Sequence, residues 1–308
     1  MTERVDVVMG GPGREAAVSR TSGAAIVAAL REAGCDVQVV DVTDSLDLTS
    51  LRPDAVVFNI IHGTYGEDGV LQRELEAAGR SYVGSDAAVS ALCMDKEATK
   101  QALRAKDLPV PWGQAFDPRS LQDPRSFRPP SMAGFVLKPQ KDGSSVGLHM
   151  LANLGFLLPA LEQVVADIGP VPMLLEERLA GPEYTVAVIE DEDGQAQALP
   201  PICIVPASDS YDYQAKYESD DTRYEIVDGA LAAELQALGL AAYRACGCRD
   251  FARVDVMADR DGGLHILEVN TLPGFTSHSL VPKAAAAAGI GFADLCRRLV
   301  RLAARRSN

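Results

Sequence analysis

The chain lacks the residue patterns that build disulfide-stapled or zinc-clipped folds. Its 308 residues include six cysteines, with neither a CxxC pair nor a His/Cys spacing that suits zinc. Buried reduced thiols are therefore the expectation. No apolar run approaches ~18 residues, and the opening MTERVDVVMGG lacks the apolar core of a signal peptide. These absences predict a soluble protein of the cytoplasm that makes no contact with a membrane.

Positive charge is also scarce. The formal net charge is −14, and lysine supplies only seven of the 29 basic residues. A chain this acidic is poorly suited to the nucleic-acid backbone, so nucleic acid is not an expected partner. A small anion held by local positive groups is compatible with the same charge. Each lysine within a motif is therefore a candidate for phosphate binding, because an ammonium group is a compact point charge for phosphate.

The sequence opens with an alternation of apolar runs and amphipathic helices. VDVVMGG, CDVQVVDV and DAVVFNIIHG predict strands. An amphipathic helix is expected from Glu15 to Ala33, and another in DGVLQRELEAAG with Asp68 as its N-cap. This order predicts a doubly wound parallel sheet that binds its ligand at the carboxyl ends of the strands. GGPG after the first run is not GxGxxG, so the dinucleotide signal is weak.

A proline-rich stretch marks a change in organisation. Residues 109–130 contain six prolines, which indicates an irregular connection near a domain boundary. Strand, Gly/Ser turn and strand follow in AGFVLKPQKDGSSVGLHM, then a helix around 153–167, the strand PMLLEERL and a long β run, EYTVAVIE…ALPPICIVP. Residues 207–229 lack helical and strand periodicity. A loop of this length in a compact chain is usually functional, often as a lid.

Two apolar runs near the C-terminus place oxygen donors on one face of a predicted hairpin. FARVDVMADRDGG and LHILEVNTLPGFT flank the turn signal at 260–263. Pairing that is symmetric about this turn sets Asp255 opposite Glu268 and Arg253 opposite Asn270, with Cβ atoms within ~5.5 Å. Two carboxylates at so short a distance repel each other unless a cation lies between them. Mg²⁺ prefers such ligands together with substrate phosphates. The opposite, buried face is expected to carry Leu264, Leu267 and Val269.

The segment KPQKDGSSVG adds a candidate phosphate site. Lys138 ends a strand, and Gly143, Ser144 and Ser145 offer unobstructed backbone amides and hydroxyls that can wrap a phosphate. Alone, such a segment is more often a surface hairpin. Any single acid of the 253–270 hairpin is likewise more often an exposed charge, and a one-residue bulge would break the register. Together, the two hairpins favour a nucleotide-plus-metal site.

In these and further segments the chain resembles the ATP-grasp carboxylate–amine ligases, and among them the D-alanine–D-alanine ligases. The matching segments run in family order over essentially the whole chain: IIHGTYGEDG, YVGSDAAVSALCMDK, KPQKDGSSVG, GPEYTVAV, YDYQAKY, RVDVM and LEVNTLPGFTSHSLVPKAA. The resemblance implies a three-domain ATP-grasp fold of the α/β and α+β classes. An N-terminal doubly wound domain at 1–95 would precede a central ATP-grasp subdomain at 96–180 and a C-terminal ATP-grasp, catalytic domain at 181–308. The resemblance further implies ATP-dependent joining of two D-alanine molecules through a D-alanyl phosphate, for peptidoglycan precursors, by a homodimer.

The resemblance also implies roles for individual residues. The residues assigned to the ATP site by the resemblance are Lys96, Lys138, Ser145, Glu176, Leu179, Glu183 and Lys216. Magnesium, as two ions or with Mn²⁺ in its place, falls to Asp255, Glu268 and Asn270. The catalytic set is Glu15, Ser144, Tyr217, Arg253 and Gly274, in which Glu15 receives the ammonium of the first substrate, and Arg253 and the Gly274 amide face a tetrahedral intermediate. Substrate binding falls to His62, Ser279 and Leu280, the last two as the anchor for the second carboxylate.

Two departures from the family pattern and several alternatives accompany the resemblance. Ala17 stands where an acid is common, and Glu177 and Arg178 replace residues that are common beside the adenine pocket. For Glu15, the alternative role is an acid that complements the helix dipole, worth ~0.3–1 kcal/mol. The alternative functions are a D-serine or D-lactate ligase and a non-catalytic nucleotide sensor.

The aperiodic segment at 207–224 is predicted to be a lid over ATP. Few apolar anchors hold it in place, and three tyrosines could pack and hydrogen-bond when a ligand completes the site. Closure would bring Lys216 near the γ-phosphate and would protect an acyl phosphate from water. The adjacent Lys216 and Tyr217 favour D-alanine as the second substrate, by resemblance.

Overall fold

The computed structural model describes residues 2–121, 123–130, 132, 134–141, 143, 146–206 and 222–306. Its helices are α1 Ala16–Glu32, α2 Val70–Ala77, α3 Ala87–Met94, α4 Lys96–Arg104, α5 Leu157–Ile168, α6 Gly229–Cys246, α7 Leu280–Ala287 and α8 Phe292–Arg305. Its strands are β1 Arg4–Gly10, β2 Asp36–Val42, β3 Val56–Asn59, β4 Gly113–Phe116, β5 Phe135–Pro139, β6 His149–Leu151, β7 Met173–Glu177, β8 Glu183–Glu190, β9 Ala196–Ala198, β10 Ile202–Val205, β11 Arg223–Ile226, β12 Phe251–Ala258 and β13 Leu264–Asn270. None of the helices described is both long enough and apolar enough to cross a membrane.

The first sheet is parallel, with strand order β2-β1-β3. Successive side chains of β1 point to opposite faces. Val5 and Val7 join a core with α1, α7 and α8, whereas Val8 joins a second core with Leu71 and Leu75 of α2. Helices therefore cover both faces of this sheet, and the predicted doubly wound arrangement is confirmed.

The start of α2 differs from the prediction by one position. The N-cap is Gly69, not Asp68, and its φ of 87° lies in the left-handed region that glycine adopts most easily. A Cβ at Gly69 would come within 2.3 Å of the Ala87 carbonyl oxygen, so the close approach of α3 also requires glycine here. Asp68 nevertheless caps the helix, because its carboxylate accepts hydrogen bonds from the amides of Val70 and Tyr65, each at 3.0 Å.

The other two sheets are antiparallel, and the cleft lies between them. The second sheet has strand order β4-β7-β5-β6 and packs on α5. The third has the order β11-β10-β8-β12-β13, with β9 beside β8. The long β run predicted after residue 182 is thus divided into three strands. The domain boundaries expected at 95/96 and 180/181 stay a prediction.

The hairpin of β12 and β13 has the register predicted for its polar pairs. Asp255 lies opposite Glu268, and Arg253 lies opposite Asn270. Strand β8 borders β12 on its other side, where Thr185 is the neighbour of Asp255. The two carboxylates and the amide therefore share one face of the third sheet, on its last two strands.

A bulge separates these pairs from the turn. Asp255 pairs with Glu268 but Val256 pairs with Ile266, so Leu267 has no opposite residue. Such an extra residue reverses the alternation of faces along its strand. Ile266 is fully buried, whereas Leu267 is only partly buried and lines the cleft. The prediction that Leu267 shares the buried face was wrong for this reason.

Phe275 joins the first and third sheets. Its ring centroid lies 6.0 Å from that of Phe58 in β3, 5.3 Å from that of Phe251 in β12 and 5.7 Å from that of Phe292 in α8. Tilted ring pairs of this kind contribute ~0.5–1.5 kcal/mol beyond the burial of their area. Because Phe275 follows Gly274 directly, this cluster fixes the loop after β13 at the end of the cleft.

Candidate active site

A cleft with a volume of about 1120 Å³ opens between the second and third sheets. Drug-sized ligands occupy roughly 300–1,000 Å³, so a nucleotide and a small substrate fit together. Every predicted site residue that the structure describes lines this cleft: Glu15, His62, Lys96, Lys138, Glu176, Leu179, Glu183, Arg253, Asp255, Glu268, Asn270, Gly274, Ser279 and Leu280. The predicted residues Ser144, Ser145, Lys216 and Tyr217 lie outside the described residues, as does most of the predicted lid.

Asp255 is the centre of the polar face and is 4 % exposed. Arg253 grips both of its oxygens, with Nε 2.8 Å from Oδ1 and Nη2 2.7 Å from Oδ2. The Thr185 hydroxyl donates to Oδ1 at 2.7 Å, and Asn270 Nδ2 donates to Oδ2 at 3.0 Å. A buried carboxylate needs such partners, since an unpaired buried charge is costly. The Arg253 guanidinium is thereby held in a fixed plane at the floor of the cleft.

The donor chemistry of this face fits a hard cation. Asn270 Nδ2 also lies 3.4 Å from Glu268 Oε1, so the amide touches both acids. Rotation of that amide by half a turn would present Oδ1, and three oxygen donors would then face the cleft. Among the described residues, no three acids, histidines or cysteines converge as a closed metal cage. Mg²⁺ suits an open site of this kind, because it takes one or two carboxylates, waters and substrate phosphates.

The lysine-bearing hairpin is fixed to the start of α4. The amide of Lys96 donates to the carbonyl of Gln140 at 3.1 Å, and Gln140 Nε2 donates to Asp95 Oδ1 at 2.8 Å. Asp95 also caps α4 through the amide of Ala98. These bonds place Lys96 and Lys138 along the same wall, which gives the cleft a positively charged side for an anionic ligand.

Lys100 is a residue that the sequence reasoning missed. It is fully buried, and its Nζ lies 2.5 Å from Glu176 Oε2 and 3.2 Å from the Pro111 carbonyl oxygen. Lys138 Nζ lies 3.3 Å from the other oxygen of Glu176. A signal was available, because Lys100 follows Lys96 by four residues and so shares its helix face, in a chain with few lysines.

Glu15 and His62 of the IIHGTYGEDG segment line another part of the cleft. A Cβ at Gly63 would come 2.6 Å from Glu15 Oε2, and a Cβ at Gly143 would come 3.6 Å from it. The Glu15 carboxylate therefore lies between Gly63 of the IIHG loop and Gly143. His62 is buried, with Nδ1 3.0 Å from Glu67 Oε1. Glu67 also lines the cleft and was not predicted, although it belongs to the quoted GEDG motif.

The loop after β13 offers backbone donors at the start of α7. Ser279 occupies the N-cap position, and its Oγ lies 2.9 Å from the amide of Thr276. A Cβ at Gly274 would lie 3.5 Å from the same Oγ, so the two residues are neighbours. Leu280 opens the helix, and the first amides of a helix have no partner within it. Such a helix start suits a carboxylate.

The three residues at the two departures from the family pattern have different surroundings. Ala17 is exposed. Glu177 Oε1 accepts a hydrogen bond from the Trp112 amide at 2.7 Å, so its carboxylate fastens β4 to β7. Arg178 lines the cleft, where it adds a positive charge beside the predicted adenine pocket.

Comparison with known proteins identifies the family of the chain. The family model described as D-ala D-ala ligase C-terminus matches residues 131–301. D-alanine–D-alanine ligase B of Chromobacterium violaceum is 42 % identical over 303 residues, which covers 96 % of each chain. The structure of a Bacillus anthracis D-alanine–D-alanine ligase complexed with ATP superposes with a TM-score of 0.84 at 29 % identity, over 99 % of each chain. The VanG D-Ala:D-Ser ligase of Enterococcus faecalis superposes with a TM-score of 0.82 at 25 % identity, over 98 % of this chain and 100 % of that one. The chain belongs to the D-alanine–D-alanine ligase family and has its ATP-grasp fold.

Proposed function

We propose that this protein joins two molecules of D-alanine and converts ATP to ADP and phosphate, for peptidoglycan precursors. One observation carries the proposal: a single cleft holds the acidic face of Asp255 and Glu268, the fixed guanidinium of Arg253 and the lysine-lined wall. Nucleotide phosphates, a metal ion and a developing oxyanion each need one of these features. A relative whose solved complex contains ATP supports the choice of nucleotide.

The first half of the reaction needs a carboxylate held against the γ-phosphate. Glu15, which lies between Gly63 and Gly143, would bind the ammonium of the first D-alanine. The carboxylate of this first D-alanine then attacks the γ-phosphorus, and an acyl phosphate and ADP result. Lys96 and Lys138 hold the phosphate chain. Mg²⁺ bound by Asp255, Glu268 and Asn270 would neutralise charge between the phosphate groups.

The second half needs a carboxylate anchor and an oxyanion site. Ser279 and the Leu280 amide would hold the carboxylate of the second D-alanine at the start of α7. The amine of that second D-alanine, once its ammonium has lost a proton, attacks the acyl carbon, a tetrahedral oxyanion forms, and its collapse expels phosphate. Arg253 and the Gly274 amide face that oxyanion. A cation and a backbone donor that are fixed before the reaction stabilise such charge without reorganisation.

An ADP-release assay on the purified protein tests the proposal. We expect release that depends on Mg²⁺ and D-alanine, with the dipeptide as product by mass spectrometry. A panel of D-serine and D-lactate beside D-alanine would identify a different acceptor, as in the structural relative that is named a D-Ala:D-Ser ligase. Nucleotide binding without ADP release under any of these conditions would contradict the proposal and would indicate a sensor. We expect a homodimer in the cytoplasm, by resemblance to the family.

A further inference from the structure

Lys100 is buried beneath the wall of the cleft that carries Glu176 and Lys138. It projects from α4 across β4 at Gly113, the residue that pairs directly with Glu176 of β7. A Cβ at Gly113 would lie 3.5 Å from Lys100 Nζ, so the ammonium runs against the bare backbone of that strand. The cleft is lined by Glu176 and Lys138 but not by Lys100. An ammonium buried this completely is costly unless it has a specific partner.

Glu176 is that partner, and two lysines share it. Its Oε2 lies 2.5 Å from Lys100 Nζ, and its Oε1 lies 3.3 Å from Lys138 Nζ. Burial alone would raise the pKa of Glu176, but the charges of Lys138 and Lys100 outweigh burial and lower that pKa. The carboxylate is therefore ionised. Its Oε2 contacts the buried Lys100, whereas its Oε1 contacts Lys138, which lines the cleft.

We propose that Lys100 is a positioning residue for nucleotide binding, which occupies one oxygen of Glu176 so that Lys138 keeps its positive charge available to ATP. With both ammonium groups protonated, the two lysines and one carboxylate carry a net charge of +1. Without the Lys100 proton, the same three groups are neutral, and the carboxylate is left to Lys138 alone. Because the ligand is a polyanion, this single charge changes its affinity. The inference rests on the proposed use of ATP.

The proton on Lys100 is easily lost for a lysine. Burial lowers the pKa of Lys100 to about 8, against the attraction of Glu176. The charged groups that face it are Glu176 on β7, Lys138 on β5 and Arg104 on the next turn of α4, and the two cations lower its pKa further. The required charge is therefore present below about pH 8 and is lost as the pH rises above it.

Stability changes in the opposite direction over the same range. An unfolded lysine keeps its proton to about pH 10.4, so between about pH 8 and 10 the unfolded chain binds more protons at Lys100 than the folded chain does. The contribution of Lys100 to the free energy of unfolding consequently rises with pH in this window. A loss of nucleotide affinity there cannot be ascribed to destabilisation by this group.

Calorimetric titration with Mg²⁺ and the imido analogue of ATP tests the proposal at pH 7, 8 and 9. If the form without the Lys100 proton binds about tenfold more weakly than the protonated form, the Kd of the wild type rises about fivefold from pH 7 to pH 9 for a pKa near 8. Lys100→Met keeps the length of the side chain without its charge. We expect it to bind about tenfold more weakly at pH 7 and to show no rise with pH. Lys106→Met, an exposed lysine just beyond α4, is the matched control and should follow the wild type.

Either of two results overturns the proposal: a Kd of the wild type that is constant from pH 7 to pH 9, or a rise of the wild-type size that persists in Lys100→Met. Lys100→Arg serves if the methionine variant does not fold, because a guanidinium keeps its charge throughout this range and should give a flat profile near the wild-type affinity of pH 7. D-alanine-dependent ADP release by the wild type is measured in parallel. Absent release with the predicted titration would refute the ligase function alone, whereas release with a flat titration would refute the role of Lys100 alone.

Discussion

Replacement of Arg253 by methionine separates its catalytic role from its structural one. The guanidinium makes two of the four hydrogen bonds to Asp255, and the side chains of the two residues are 16 % and 5 % exposed. Removal of one partner from a buried ion pair costs about 3–5 kcal/mol. Thr185 and Asn270 keep their bonds to Asp255, so we expect a loss near the lower end, about 3 kcal/mol of unfolding free energy.

The loss of transition-state stabilisation in Arg253→Met should be similar in size to the loss of unfolding free energy, but it should appear in kcat. Removal of one donor that faces an oxyanion typically lowers the rate by ~10²–10³, which is about 2.7–4 kcal/mol of transition-state stabilisation. We expect kcat to fall by that factor while the ATP KM changes little. The measurements are steady-state ADP release and urea unfolding of Arg253→Met. Arg249→Met is a suitable control, because Arg249 donates to the Gly84 carbonyl and stacks on Tyr82 away from the cleft.

Two results would refute this reasoning. An unchanged kcat with a raised ATP KM would make Arg253 a phosphate clamp rather than an oxyanion donor. An equal loss of kcat in Arg249→Met would mean that destabilisation alone accounts for the effect. Arg253→Lys adds a further check, since it keeps the charge but loses the bidentate grip on Asp255.

Three further predictions concern other parts of the molecule. Glu268→Gln removes a charge from the proposed metal site and should abolish ligation with an unchanged circular dichroism spectrum; near-wild-type turnover would contradict the assignment. Ser279→Ala should raise the KM for the second D-alanine about tenfold without a change in ATP affinity, measured by initial rates at saturating ATP, and an effect on the ATP KM alone would place the anchor elsewhere. Asp250→Asn, in a fully buried carboxylate that pairs with Arg306 and accepts from the Gly84 amide, should cost about 3 kcal/mol in urea unfolding but leave kcat unchanged, and a loss below 1 kcal/mol would show that the pair is dispensable.

Pattern and spacing were sufficient to predict the sheet types and the pairing of Asp255 with Glu268. The pairing was correct, although the assumed symmetry about the turn holds only beyond the bulge at Leu267. A bulge depends on how the strand fits its neighbours, and a single sequence carries no period that announces it. The error therefore fell on Leu267, which faces the cleft, and not on the acids.

Lys100 and Gly69 illustrate what a local pattern cannot supply. The spacing of Lys100 from Lys96 indicates a shared helix face, but only the packing of α4 against β4 and β7 makes Lys100 a buried partner of Glu176. The cap at Gly69 depends on the proximity of the Ala87 carbonyl, which belongs to the next helix. Both features arise from tertiary contacts, which override local propensity.

The ring cluster around Phe275 has a consequence for how the protein melts. Because Phe275 contacts Phe58 of the first sheet and Phe251 of the third, these two sheets share one apolar core, whereas the second sheet has its own core with α5. Cooperative units of unfolding follow shared cores. Scanning calorimetry of the ligand-free protein should therefore resolve a smaller transition for the second sheet and a larger one for the joined pair. A nucleotide that bridges the cleft would merge the two heat-absorption peaks, which would make calorimetry a direct report of cleft closure.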